Sequence, residues 1–162
     1  MENQVFFEHL VRVLSAKGVT VATAESCTGG GIAKAITDIS GSSAVLLGGF
    51  VTYTNAVKIA LLGVDPALIE RESEVSHACA KAMARGARET LGATVAVSAT
   101  GYAGPTGGTE HDPVGTVYLG LATETDCISE RFCAPLGASR TEVREAAIRR
   151  AAEMLLERFG DA

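Results

Sequence analysis

The chain lacks several things that would have assigned it to a class at once. Its start, Met1-Glu2-Asn3-Gln4, has neither the basic n-region nor the apolar core of a secretory leader. The longest apolar stretch, around residues 44–51, is interrupted by Gly48 and Gly49 and is far too short to span a bilayer. No run of Lys or Arg exceeds the pair Arg149-Arg150, and the net charge is −5. A phosphate backbone needs a basic footprint, so neither nucleic acid nor a membrane is an expected partner, and the expected location is cytoplasmic. A small anion remains possible, because one or two placed arginines suffice to hold it.

The four cysteines form no Cys-x-x-Cys pair. Cys127 and Cys133 fall on one predicted strand, roughly 20 Å apart by strand rise, and cannot bond to each other there. Cys79, Cys127 and Cys133 read as small buried apolar groups in a reducing compartment. Cys27 stays open, since it adjoins Ser26. Of the three histidines, His9 sits at the edge of an apolar helix face, while His77 and His111 read as surface residues. They are too few and too scattered for a metal site, and neither metal nor cofactor is expected.

What is present is the composition of a globular chain: 162 residues, 47% hydrophobic and 20% charged. Residues 4–17 predict a helix with Val5, Phe6, Leu10, Val13 and Leu14 on one face and Gly18 as its stop. A strand follows over 19–24, then three glycines, then helical spacing over 32–36. The run 45–53 predicts a second strand, with Asn55 capping a helix that ends at Gly63. Ser76 caps a helix over 79–91, and further strands are expected over 94–99, 114–122 and 128–134. The final helix opens with Ser139-Arg140-Thr141-Glu142, at capping-box spacing, and runs to Phe159. Alternating strands and helices predict an α/β fold, a three-layer α/β/α sandwich around a central mixed sheet. No linker or repeat divides residues 1–162, which read as a single domain.

Three segments carry chemistry. Ser26 lies two residues after a strand and just before Gly29-Gly30-Gly31, where open α/β sheets place their ligands. Backbone N–H groups in such a turn hold phosphates or oxyanions. The sequence Gly-x-Gly-x-x-Gly is absent, and Lys34 has no P-loop context. Two readings stand for Ser26 and Thr28: a helix N-cap, or a nucleophile that needs a base nearby. Lys58, in the first turn of its helix, is a candidate base, because the macrodipole and partial burial both lower a lysine pKa. Tyr53 could relay a proton or orient that amine. A solvated lysine and a half-buried strand aromatic are the alternatives. The third segment, from Thr100 to Pro113, is glycine-rich enough for a binding loop or for a flexible connection. Arg140, another cation at the start of a helix, gains by reaching an anion or by a surface salt bridge. Arg144, Arg149 and Arg150 read as that helix's solvated face.

In order along the chain, these pieces resemble the CinA C-terminal domain family, the nicotinamide mononucleotide deamidases. The resemblance is carried by Ala24-Glu25-Ser26-Cys27-Thr28-Gly29-Gly30, Gly41-Ser42-Ser43, Gly48-Gly49-Phe50-Val51-Thr52-Tyr53 with Lys58 following, and Leu62-Gly63-Val64. It continues through Ala99-Thr100-Gly101-Tyr102-Ala103-Gly104-Pro105 and Pro113-Val114-Gly115-Thr116-Val117. It implies hydrolysis of the mononucleotide carboxamide to nicotinate mononucleotide and ammonia, in pyridine nucleotide salvage and without a metal. Ser26 would be the nucleophile, with Lys58 and Tyr53 its activating partners. Cys27, Thr28, Gly29 and Gly30 would form the oxyanion turn, and Thr100, Gly101 and Arg140 would hold substrate. The resemblance also leans toward a homo-oligomer, a dimer or larger, and toward a stand-alone form of the domain. Tyr102, Thr106 and Asp112 depart from the family's usual Ile, Gly and basic residue. Two other functions remain open: a non-catalytic nucleotide-sensing domain, and a Ser-Lys amidase for another small amide.

Overall fold

A computed structural model describes residues 2–161. The elements in chain order are α1 (Asn3–Ala16), β1 (Val21–Glu25), α2 (Gly31–Thr37), a 3-10 turn (Ser42–Ala44), β2 (Leu46–Val51) and α3 (Asn55–Leu62). They continue with α4 (Pro66–Glu72), α5 (His77–Leu91), β3 (Val95–Gly101), β4 (Thr116–Thr123), β5 (Cys127–Cys133) and α6 (Arg140–Phe159). The five strands form one sheet in the order β2-β1-β3-β4-β5. β1 pairs in parallel with β2 and β3, while β3–β4 and β4–β5 are antiparallel. The expected mixed sheet is thus present, parallel where helical crossovers join strands and antiparallel where they follow one another directly.

Strand alternation divides the interior into two layers. Val21, Val95, Val97, Val117, Leu119 and Leu121 face a core shared with α1, α2 and α6. The intervening positions are small: Ala22, Ala24 and Ala96 pack with Cys79, Met83 and Ala87 of α5. Small residues let that helix lie close to the sheet. A Cβ on Gly120 would stand 2.4 Å from the Ala80 carbonyl oxygen, so no side chain fits there.

Several boundaries differ from the sequence expectation. On α1 the buried set is Phe6, Phe7, Leu10, Val11 and Leu14, whereas Val5 is exposed. The helix therefore turns its stripe one residue further round than Val5 and Val13 imply. α4 was not expected. Its signals, Asp65 accepting from Ala67 N and Pro66 in the first turn, lie in a stretch with no buried residue and hence no apolar stripe. Thr54, not Asn55, caps α3 through Val57 N. β3 runs on through Thr100 and Gly101, which pair with Tyr118 and Val117, so the glycine-rich loop begins only at Tyr102. Cys79 is buried as expected, but Cys127 is half-buried and Cys133 exposed at the edge strand.

Candidate active site

The parallel strands β1, β2 and β3 point their C-terminal ends at one cavity of about 380 Å3. Ser26 follows β1 directly, and its N–H donates to Ala99 O at 2.9 Å, which fixes the turn against β3. The turn then meets α2, whose first N–H groups need acceptors. Those acceptors come from Glu25. Its buried carboxylate takes bonds from Ile32 N at 2.7 Å, Ala33 N at 3.1 Å and the Thr28 hydroxyl at 2.8 Å. The residue preceding α2 is Gly30, at φ 97°, and it offers no side-chain cap. Glu25 therefore does the capping that the sequence left open between Ser26 and Thr28, and the Ser26 hydroxyl is released from it.

That hydroxyl accepts a 3.1 Å hydrogen bond from Lys58 Nζ. Ser26 is 8% exposed and Lys58 only 1%. Burial pushes the Lys58 pKa below the ordinary lysine range, against smaller opposing influences from Cys79, Glu74 and Cys27. No carboxylate of the described residues lies within 4.0 Å of the amine to restore its charge. Burial is the largest cause of that lowering. No backbone oxygen of the described residues accepts from the N–H groups of Cys27 and Thr28, and the Cys27 N–H bonds its own thiol. Burial raises the Cys27 thiol pKa to about 12, which disfavours the thiolate that a nucleophile needs.

The remaining expected residues divide. Cys27, Thr100, Gly101, Tyr53 and Arg140 all line the cavity with Ser26 and Lys58. Thr28, Gly29 and Gly30 instead border a separate depression beside Ile148. Thr28's hydroxyl is committed to Glu25, so only its backbone is placed to serve the site. Thr100 donates its hydroxyl to Glu74 O at 2.8 Å, which ties β3 to the loop before α5. Tyr53 is 56% exposed at the mouth and accepts from Arg140 Nη2 at 2.9 Å. It makes no hydrogen bond to Ser26 or Lys58. Arg140 also donates to Gly104 O at 2.8 Å, joining α6 to the glycine-rich loop.

Two residues escape the sequence reading. Arg144 is not part of a solvated face: its guanidinium donates to Cys27 O at 3.1 Å and Thr28 O at 3.2 Å, clamping the serine turn from α6. Its place one turn after Arg140 was the available signal. Glu74 lines the cavity from the α4–α5 loop, where no periodicity marks it. Asp112, by contrast, is withdrawn from the cavity. It accepts from Tyr118 Oη at 2.8 Å and Arg131 Nε at 3.0 Å, so its charge is spent on packing the loop. Arg149 and Arg150 are no solvated face either: they are 27% and 23% exposed, Arg150 binding Glu130, Glu153 and Glu157 and Arg149 lying over the Phe6 ring. Among the described residues no group of three or more His, Cys, Asp or Glu could hold a metal, and no helix is long and apolar enough to cross a membrane.

Comparison with known proteins gives a consistent result. The CinA C-terminal domain profile matches residues 3–159. A CinA-like protein of Geobacter sulfurreducens is 52% identical over 134 residues, covering 82% of this chain and 32% of that one. A putative competence-damage inducible protein of Caldicellulosiruptor saccharolyticus is 44% identical over 157 residues, covering 96% of this chain and 37% of that one. The chain thus spans little more than a third of these curated relatives at most. Among solved structures, the competence/damage inducible protein CihA of Agrobacterium tumefaciens superposes with a TM-score of 0.87 at 42% identity, covering 94% of each chain. A CinA superfamily protein of Klebsiella pneumoniae superposes at 0.92 with 31% identity, covering 98% of each.

Proposed function

The chain belongs to the CinA C-terminal domain family, and from that premise we propose that it hydrolyses the carboxamide of nicotinamide mononucleotide to nicotinate mononucleotide and ammonia. The observation that carries the reading is the buried 3.1 Å contact between Lys58 Nζ and Ser26 Oγ. A lysine held below its ordinary pKa accepts the serine proton as Oγ attacks the carboxamide carbon. The oxyanion so formed is taken up by the N–H groups of the Cys27–Thr28 turn. Collapse of the tetrahedral adduct breaks the C–N bond, and the proton on Lys58 passes to the departing nitrogen, which leaves as ammonia. Water then attacks the acyl-serine, again giving its proton to Lys58, and releases the carboxylate product and Ser26. Arg140, steadied by Tyr53 and Gly104 O, offers its guanidinium to the phosphate.

The test is ammonia release from nicotinamide mononucleotide. Ser26→Ala and Lys58→Ala should each cut kcat/KM by about 10^2- to 10^4-fold. In the wild type, kcat/KM should rise with pH and level off below the range in which a free lysine titrates, because the base works when neutral. Wild-type rates in either variant would refute the scheme. Tight binding of the mononucleotide without any turnover would favour a sensing domain instead. Equal rates on nicotinamide and the mononucleotide would point to an amidase that ignores the phosphate.

A further inference from the structure

Glu74 is the one carboxylate among the described residues lining the cavity, which otherwise carries only Lys58 and Arg140 as charged groups. It has no ion-pair partner among the described residues. The nearest polar contact of its carboxylate is the Ser73 hydroxyl, at 3.4 Å. Its backbone oxygen is held by the buried Thr100 hydroxyl, whereas Arg140 bonds the exposed Tyr53 at the mouth.

The backbone around Glu74 is fixed on both sides. Ser73 is the one non-glycine among the described residues with a positive φ, 77°, a conformation that L side chains avoid. It is held there by Ile69 O on its N–H, by the Ser76 hydroxyl on its carbonyl, and by Val75 N on its own hydroxyl. Glu74 O in turn accepts from Thr100 at the end of β3. This strained, multiply pinned turn holds the carboxylate at the cavity wall, with Val75 next to it buried against Ala80 and Tyr118.

Resting on the deamidase reading, we infer that Glu74 is a specificity-determining residue that recognises the positive charge of an N-substituted pyridinium ring. The ring carrying the scissile carboxamide is cationic once its nitrogen bears ribose and neutral in free nicotinamide. The cavity then matches a substrate of opposite charges: Glu74 beside the cationic ring at depth, and Arg140 at the mouth for the phosphate. A carboxylate near the ring rewards the N-ribosylated form and gives nothing to a neutral ring of the same shape.

The experiment measures binding by calorimetry in Ser26→Ala protein, which cannot turn over. It compares nicotinamide mononucleotide with its neutral C-linked benzamide analogue, which carries the same ribose phosphate. The cation should bind about tenfold or more tightly. Adding Glu74→Gln should reduce that preference to about twofold or less, and Glu74→Asp should retain part of it. A preference that Glu74→Gln leaves unchanged overturns the inference. Should the glutamine variant not fold, judged by its melting curve, salt provides the second measure. The preference for the cation over the analogue should shrink between low and high salt, and a salt-independent preference overturns the inference. Ammonia release by the wild type is followed in parallel. Absent turnover with a Glu74-dependent preference would sink the deamidase reading alone. Turnover with a Glu74-independent preference would sink this inference alone.

Discussion

A lysine amine at 3.1 Å from a serine hydroxyl, both nearly sealed from water, is the residue-scale fact on which the proposed chemistry turns. Desolvation weakens the charged form of the amine, and the neighbouring thiols of Cys27 and Cys79 share the same dry surroundings, so their pKa values move the other way, to about 12 and about 11. Reactivity among the cysteines should therefore follow exposure and not nearness to the serine. Brief alkylation at pH 8 should label Cys133 first and leave Cys27 and Cys79 intact, with activity retained. Peptide mass mapping beside the ammonia assay would show this, and loss of activity in step with Cys27 labelling would contradict it.

At the scale of elements, the serine turn is a negotiated junction between β1, α2 and α6. Glu25 supplies the acceptors α2 requires, and Arg144 reaches from α6 to the carbonyls of Cys27 and Thr28. Glu25→Ala would orphan the Thr28 hydroxyl and two helix N–H groups in a buried place. A loss of about 2–5 kcal/mol is expected from urea unfolding, by analogy with other unsatisfied buried donors. The same variant should lose activity, since the turn carrying Ser26 and its oxyanion donors would loosen. A change of under about 0.5 kcal/mol would mean the carboxylate is not the true cap. α6 illustrates how an element begins where its chemistry is needed. Its capping box, Ser139 with Glu142, fixes the first turn and so aims Arg140 at Gly104 and Tyr53.

Across the whole molecule, the site sits where the parallel half of the sheet ends, between a helix layer packed on large aliphatics and one packed close on alanines. Placing Lys58 at that junction has a thermodynamic consequence. Its folded pKa lies below the unfolded value, so the unfolded chain binds the extra proton. Stability then rises with pH through the window between the folded pKa and the unfolded value of 10.5, and the cost is fully present below it. Lys58→Met removes that cost while keeping the volume. It should raise Tm at neutral pH, by about 2–4 °C for each kcal/mol relieved, and abolish ammonia release. A lowered Tm at every pH would show that the amine stabilises the fold.

Much of this arrangement was written locally along the chain. Strand-then-glycine at Ser26, the capping box at Ser139 and the alternating strands depend on neighbours a few residues away, so periodicity and turn chemistry determine them. The sequence therefore settled the α/β order, the mixed sheet and the position of Ser26 at a strand end. It also put Lys58 and Arg140 at the starts of helices, where cations are out of place. Only the tertiary structure decided which partners those side chains meet. Ser26 and Lys58 are 32 residues apart, Thr100 reaches back to Glu74, and Arg140 crosses 87 residues to Tyr53. Nothing local encodes such convergence, because it depends on how the sheet orders its strands as β2-β1-β3. The same reason hid Glu25's capping role, Arg144's clamp and the carboxylate of Glu74: each acts across space on a group its own segment does not contain.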